Sequence, residues 1–292
     1  MAVLATRLQR IEQRLAQRTA GPVVEAMNPL SFARQQLGFS PDPWQETVLQ
    51  SKRSRLLLNC SRQSGKSTTT AILALHQALY APHSLVLLIS PSLRQSSELF
   101  RKVTDLLARL PGRPSLTEDN RLSLRMKNGS RIVSLPSKEE TIRGFSGASL
   151  IIEDEASRVS DALYFAIRPM LAVSSGRLIL MSTPWGKRGH FFEAWTKGGD
   201  TWERIQVTAY DCPRISPAFL AEEKAQMPDL WFRSEYLCEF TDTEDSVFSY
   251  EHVMNAISDE VQPLFSTRAA SLGGHGAPAL SAEILPLVSA ER

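Results

Sequence analysis

Hydrophobic positions along this chain gather into short unbroken runs separated by longer amphipathic ones. Arg55–Ser61 reads RLLLNCS, and Ser84–Ser90, Leu150–Glu153 and Arg177–Ser182 repeat the texture. Runs that are apolar at nearly every position suit strands covered on both faces. Between them, Lys66–Tyr80 and Arg94–Leu110 predict helices, a further helix is expected near Ala162–Ala172, and Glu203–Thr208 supplies another strand. Strand and helix in alternation predict an α/β fold with a mostly parallel sheet flanked by helices. Arg121–Leu135, RLSLRMKNGSRIVSL, breaks this rhythm: two alternating runs around Asn128-Gly129 predict a β-hairpin.

The ends of the chain have a different texture. Residues 3–18 set Leu4, Leu8, Ile11 and Leu15 on one helical face, with Arg7, Arg10, Arg14 and Arg18 around the rest. Such a helix serves as a docking or coiled-coil arm or, more commonly, lies solvated on its own domain or frays. Gly21-Pro22 and Asn28-Pro29 then mark a linker. After Phe240 the periodicity fades, and Gly273–Pro278 reads as loop or disorder.

Composition narrows the class without naming it. A chain of 292 residues holds one large domain or two small ones. Lys plus Arg number 33 against 31 Asp plus Glu, a net charge of +2, so an argument for nucleic-acid binding must rest on a local patch. One exists: Arg121, Arg125, Lys127, Arg131, Lys138 and Arg143 lie close together, opposed in that stretch only by Glu139 and Glu140. In the hairpin, Arg121, Ser123, Arg125 and Lys127 share one face, and Leu122, Leu124 and Met126 the other. The charged face suits a DNA backbone, a neighbouring subunit or plain solvation. The three cysteines, Cys60, Cys212 and Cys238, form no C-x-x-C pair and suggest neither zinc nor a disulfide framework, in keeping with a reducing, cytoplasmic setting. No apolar run is long enough to span a bilayer and no secretory signal is present, so no membrane association is expected.

The chemistry concentrates at NCSRQSGKST, residues 59–68. Its second half matches the phosphate-binding pattern G-x-x-x-x-G-K-[ST], but Cys60 stands where the first Gly belongs. The loop lies between a predicted strand and a predicted helix, which is the context the motif requires. In such a loop, backbone N–H groups and the helix N-terminus cradle phosphates, Lys66 reaches the terminal phosphates, and Ser67 holds Mg²⁺. An ATPase also needs a carboxylate for the metal and a group that activates water. Asp154 and Glu155, at the end of the apolar strand LIIEDEA, are candidates for those two tasks. Three adjacent acids there, Glu153 included, would repel one another, and a cation would relieve them. One strand later, Ser182-Thr183-Pro184 ends RLILMS, where a polar pair can sense the γ-phosphate or simply close a turn. Upstream, Gln45 of Pro43-Trp44-Gln45 has an amide able to read the N6 and N7 edge of adenine.

Taken in order, Pro-Trp-Gln at 43–45, CSRQSGKS at 60–67, SPS at 90–92, TIRGFSGASLIIEDEA at 141–156 and MSTP at 181–184 resemble the ATPase half of the large terminase subunit of tailed bacteriophages, over about residues 32–255. The resemblance implies a RecA-like P-loop NTPase fold and an ATP-hydrolysing motor that moves DNA. It implies ATP and Mg²⁺ as cofactors. Ser61, Arg62, Gln63, Ser64, Gly65, Lys66, Ser67 and Thr68 would then form the nucleotide-binding loop, with Gln45 on adenine. Asp154 would be the metal aspartate, Glu155 the catalytic base, and Ser182, Thr183 and Pro184 the coupling motif. Arg62, acting in cis, and Arg143, acting on a neighbour in a ring, are the candidate arginine fingers. A solvated surface role for Arg143 stays open.

The implied organisation is an arm and linker over 1–30, an ATPase core over 31–184, a lid subdomain and linker over 185–248, and a tail over 249–292. The implied partners are double-stranded DNA, a small terminase subunit, a portal protein and further copies of the chain in a ring, in the cytoplasm of a bacterial host. No acidic strand motif follows residue 260, so no complete nuclease domain and no DNA cleavage are expected of this chain. Two other readings fit parts of the pattern: a superfamily-2-like helicase or repair translocase, and a defective prophage remnant that binds nucleotide or other motor subunits.

Overall fold

A computed structural model describes residues 28–137, 142, 144–242, 252, 255 and 256. The predicted arm over 3–18, Lys138, Arg143 and most of the tail lie outside the described residues. The chain divides into two units, Met1–Val247 and Phe248–Arg292. In the second, only His252, Asn255 and Ala256 are described, all helical and exposed.

The described part of the first unit starts with two short helices, α1 (Pro29–Gln35) and α2 (Pro43–Gln50). Each begins on a proline, whose missing N–H costs nothing in the first turn. Alternating elements follow: β1 (Arg55–Cys60), α3 (Lys66–Tyr80), β2 (Leu85–Ser90) and α4 (Leu93–Arg109). Next come β3 (Leu116–Asp119), β4 (Ser123–Met126), β5 (Arg131–Pro136) and β6 (Leu150–Asp154). A 3₁₀ turn at Ala156–Arg158 leads to α5 (Asp161–Ile167), β7 (Arg177–Ser182), α6 (Gly189–Lys197) and β8 (Glu203–Val207). Helices α7 (Pro217–Gln226) and α8 (Asp229–Leu237) close the unit.

The eight strands of the described residues form one sheet in the order β3-β4-β5-β2-β6-β7-β1-β8. From β5 to β8 every pairing is parallel, while β3 and β4 add an antiparallel edge. The α/β expectation is met, and so is the hairpin about Asn128-Gly129. Its apolar face is buried at Leu124 and Met126.

Three local readings need correction. The helix expected over 162–172 is α-helical only to Ile167 and continues as a 3₁₀ turn, because Pro169 has no amide to donate back along the ladder. Strand β3 was not foreseen: its LTED is polar and largely exposed, with none of the alternation that marks a half-buried strand. That strand also changes the basic patch, since its Glu118 pairs with Arg125 at 3.2 Å.

Two apolar layers sandwich the sheet. On one face Leu56, Leu58, Ile152, Ile179 and Met181 pack with α3 and α4 residues such as Ile72, Leu75 and Val103. On the other, Leu57, Ile151, Leu178 and Leu180 pack with Leu163 and Ile167 of α5 and Phe191 of α6. Each strand sends successive side chains to opposite faces, so an uninterrupted apolar run fills both layers at once. The parallel register brings the last residues of β1, β6 and β7 to one edge: Asn59 lies beside Ser182, and Asp154 beside Met181.

Candidate nucleotide site

At that edge the chain leaves β1 through Ser61–Gly65 and enters α3 at Lys66. Cys60 is still a strand residue, paired with Val207 and fully buried. Its backbone is not among those in the left-handed region. Nothing at this position demands glycine, which explains how the motif's first Gly is replaced. Burial pushes the Cys60 thiol up to about 12, so it packs as a small neutral group. Gly65 differs in kind. It has φ +99°, and a Cβ there would lie 2.8 Å from Gln45 Nε2. Left-handed backbone and side-chain contact together make glycine the residue this turn needs.

Lys66 is 8% exposed, and its Nζ lies 3.4 Å from Glu155 Oε1. Burial alone would lower its pKa, but the Glu155 and Asp154 carboxylates outweigh that and hold it above its ordinary value. Asp154 is 7% exposed and accepts the Glu155 N–H at 3.0 Å through Oδ1. Burial first, and the neighbouring Glu155 second, push its carboxyl up to about 7. Glu155 turns away from the strand in the left-handed region, at φ 51° and ψ 43°, which is uncommon for a non-glycine residue and sets its carboxylate toward the loop lysine.

The expected cluster of three acids is really two. Glu153 projects to the opposite face of the sheet, where His190 Nε2 lies 2.9 Å from its Oε1. Strand periodicity alone separates it from Asp154.

The donors at the edge fit a nucleotide with a hard divalent ion. Asp154 offers carboxylate oxygens and the half-buried Ser67 a hydroxyl, the ligand type Mg²⁺ takes alongside phosphate oxygens. Among the described residues no three His, Cys, Asp or Glu side chains are grouped to hold a metal by themselves.

The other sequence candidates fall as follows. Ser61 and Ser64 are buried in the loop, Gln63 is exposed at φ 59°, and Thr68 lies in the first turn of α3 with its N–H on the Gly65 carbonyl. Gln45 is buried against the loop, but its Oε1 accepts the Asp42 N–H at 2.8 Å in a capping box that starts α2. Arg62 lies over α8, where Glu235 holds its guanidinium through both carboxylate oxygens. Ser182 and Thr183 are buried and joined to the turn after Glu155. Ser182 Oγ lies 2.6 Å from Ser157 Oγ, which donates to the Thr183 carbonyl at 2.8 Å. The Pro184 carbonyl accepts from Ser234 Oγ of α8 at 3.0 Å.

Sequence reasoning missed Arg214. One of its guanidinium nitrogens lies 2.7 Å from Asp42 Oδ2, and another donates to the Ser64 carbonyl at 2.6 Å. It therefore ties the loop to the start of α2. The loop that carries it has no motif, so nothing local would have singled it out.

A glycine turn opening a helix behind β1, a buried lysine in its first turn, and an acidic pair where β6 ends beside that lysine mark a P-loop NTPase fold. The sequence profile described as "Terminase large subunit, T4likevirus-type, N-terminal" matches residues 57–253, and the chain belongs to that family. The terminase large subunit of Thermus virus P23-45 is 28% identical over 248 residues, covering 73% of this chain and 51% of that protein. That of Escherichia phage T5 is 24% identical over 243 residues, covering 79% and 55%. The chain thus spans about half the length of the curated relatives it matches.

Among solved structures, the large terminase ATPase domain of Thermus phage P74-26 superposes with a TM-score of 0.64 at 24% identity, covering 74% of this chain and 100% of that one. The HK97 bacteriophage large terminase gives 0.62 at 17% identity, covering 74% and 55%. These likenesses fix the fold. Neither the helicase nor the remnant reading is favoured by them. Among the described residues no helix is long and apolar enough to cross a membrane.

Proposed function

We propose that this chain is the ATP-hydrolysing portion of a phage DNA-packaging motor, converting hydrolysis into movement of double-stranded DNA. The observation that carries the proposal is the buried Lys66 ammonium set 3.4 Å from Glu155 beside the buried Asp154, in a chain of the terminase family. Related large terminases have been solved with ADP and with ATP-γ-S, in keeping with a nucleotide here.

In this reading the N–H groups of residues 63–67 surround the phosphates, those of Ser61, Arg62 and Thr68 being bonded within the protein, and Lys66 pairs with the terminal oxygens. Ser67 and Asp154 hold Mg²⁺, which when bound neutralises charge on the transferring phosphoryl group. Glu155 orients the attacking water and takes its proton. Gln45 offers its amide N–H to adenine, its carbonyl being occupied by the α2 cap. Arg62 is the cis finger candidate and leaves Glu235 to act. Arg143 is the trans candidate. Ser182, Thr183 and Pro184 pass the state of the site to α8, because Ser157 binds the first two and Ser234 the third. The lid assignment of residues 185–248 belongs to the same reading, although β8 within it is an edge strand of the main sheet.

The partners proposed are double-stranded DNA, a small terminase subunit, a portal protein and further copies of the chain in a ring. The charged hairpin face is the DNA candidate, with Arg121 and Lys127 its exposed positions and Arg125 already paired to Glu118. No DNA cleavage is assigned to these residues. The reading is tested by Lys66→Ala, expected to weaken Mg-ATP binding at least tenfold and to abolish hydrolysis. A variant that binds and hydrolyses like the parent chain would overturn it.

A further inference from the structure

Glu153 precedes Asp154 by one residue yet plays no part in the nucleotide edge. It is fully buried, on the face of the sheet that packs against α5 and α6. An isolated carboxylate in such a place costs several kcal/mol and must find a partner. Its partner is His190, in the first turn of α6, whose Nε2 lies 2.9 Å from Glu153 Oε1. The contact is a charge pair rather than an aligned hydrogen bond.

The imidazole is fixed from every side. Its Nδ1 lies 3.2 Å from Asp161 Oδ1, and the same oxygen accepts the His190 backbone N–H at 2.7 Å. Its face stacks on Tyr164, with centroids 4.4 Å apart and planes 10° from parallel. A ring with both nitrogens against carboxylate oxygens is suited to carry two N–H donors, which is the imidazolium form. Burial works against that charge, and Glu153 and then Asp161 more than offset it.

The cluster therefore joins three elements: the end of β6, the start of α5, and the start of α6. Only residues 185–188 separate α6 from Ser182-Thr183-Pro184. The acidic turn is held from its front by Ser157 on Ser182 and from behind by Glu153 on His190. Glu155 occupies a left-handed conformation that persists only where its surroundings impose it.

We propose that His190 is a positioning residue for the Asp154–Glu155 pair, acting through Glu153 from the far side of the sheet. It touches neither phosphate nor metal. The inference rests on the reading of those two acids as the hydrolytic pair. Glu153 and Asp161 complete the clamp, and the three together tie the strand that carries the acids to the helix that follows the β7 turn.

The test compares His190→Ala, His190→Gln and Glu155→Gln with the parent chain. Each is measured for Mg-ATP hydrolysis, for binding of a fluorescent ATP analogue, and for amide hydrogen exchange. His190→Ala is expected to lower kcat at least tenfold while nucleotide Kd stays within about threefold. Exchange at residues 153–158 should rise at least tenfold, with β1 and β2 unchanged. His190→Gln keeps one donor toward Glu153 and should recover part of both losses. If His190→Ala does not fold, His190→Gln decides, with a smaller fall in kcat at constant Kd and a smaller local rise in exchange.

Parent-like kcat and parent-like exchange at 153–158 in a folded variant overturn the inference. So does a kcat that falls only in step with nucleotide affinity. Glu155→Gln separates the two levels. If it turns over like the parent chain, the reading of the acids has failed. If it is inactive while the His190 variants turn over normally, only the clamp has failed.

Discussion

Glu235 of α8 holds Arg62 of the phosphate loop through both carboxylate oxygens, and the Arg62 N–H also donates to the Glu235 carbonyl at 3.3 Å. Phosphate and Glu235 are then rivals for one guanidinium, since each presents a pair of anionic oxygens that its fork can bind. Glu235→Gln keeps the shape and removes the charge. It should tighten Mg-ATP binding severalfold, because Arg62 no longer leaves an ion pair to reach phosphate. Titration with a fluorescent ATP analogue measures this. Unchanged or weaker binding would mean that Arg62 does not reach the nucleotide from this position.

Substitution at the two ends of the loop motif should affect different properties. Gly65→Ala must hold a Cβ 2.8 Å from Gln45 Nε2 in a left-handed turn, a conformation that costs an L-residue roughly 1–2 kcal/mol before any clash. Nucleotide affinity should drop at least tenfold. Cys60→Gly restores the general G-x-x-x-x-G-K-[ST] pattern on paper, yet Cys60 is a fully buried strand residue. That change should lower thermal stability by about 1–2 kcal/mol, through lost packing and a more flexible unfolded chain, and leave affinity within about twofold. Improved binding by Cys60→Gly would refute this account of the loop.

How much of this was legible beforehand follows from the range of each interaction. Helix α3 and strand β7 appear at their expected bounds because their signals are local: apolar runs, and a Gly-Lys-Ser at a helix start. Asp154 and Glu155 were legible for the same reason. Arg62–Glu235, 173 residues apart, and Arg214–Asp42, 172 apart, leave no periodic trace. In sequence Glu153 reads as one of three repelling acids because its neighbours are acidic. The pleat sends it to the other face, and only the fold supplies His190. Strand β3 escaped because an exposed edge strand has no buried face to write an alternation.

Stability should report the strain at Asp154. Its carboxyl titrates near 7 in the folded chain against an ordinary value of 3.8. Between those values the folded chain binds a proton that the unfolded chain has released, so stability falls as pH rises through the window. The loss attributable to this group is on the order of 2–4 kcal/mol by pH 8. With chelator present, Asp154→Asn should therefore be more stable than the parent chain at pH 8 and similar to it near pH 4. Denaturant melts at the two pH values measure the difference. It should also lose the Mg²⁺ dependence of nucleotide affinity. A variant less stable than the parent at pH 8 would contradict a raised Asp154.

The central claim is that Glu155, facing Lys66 across 3.4 Å, drives hydrolysis rather than binding. Single-turnover hydrolysis of Mg-ATP by Glu155→Gln, alongside its ATP affinity, tests this most directly. The amide keeps the size and cannot take a proton from water. Affinity should remain within about threefold of the parent chain while the chemical step slows by at least a hundredfold, the scale of a lost general base. Hydrolysis at the parent rate with ATP bound would contradict the account.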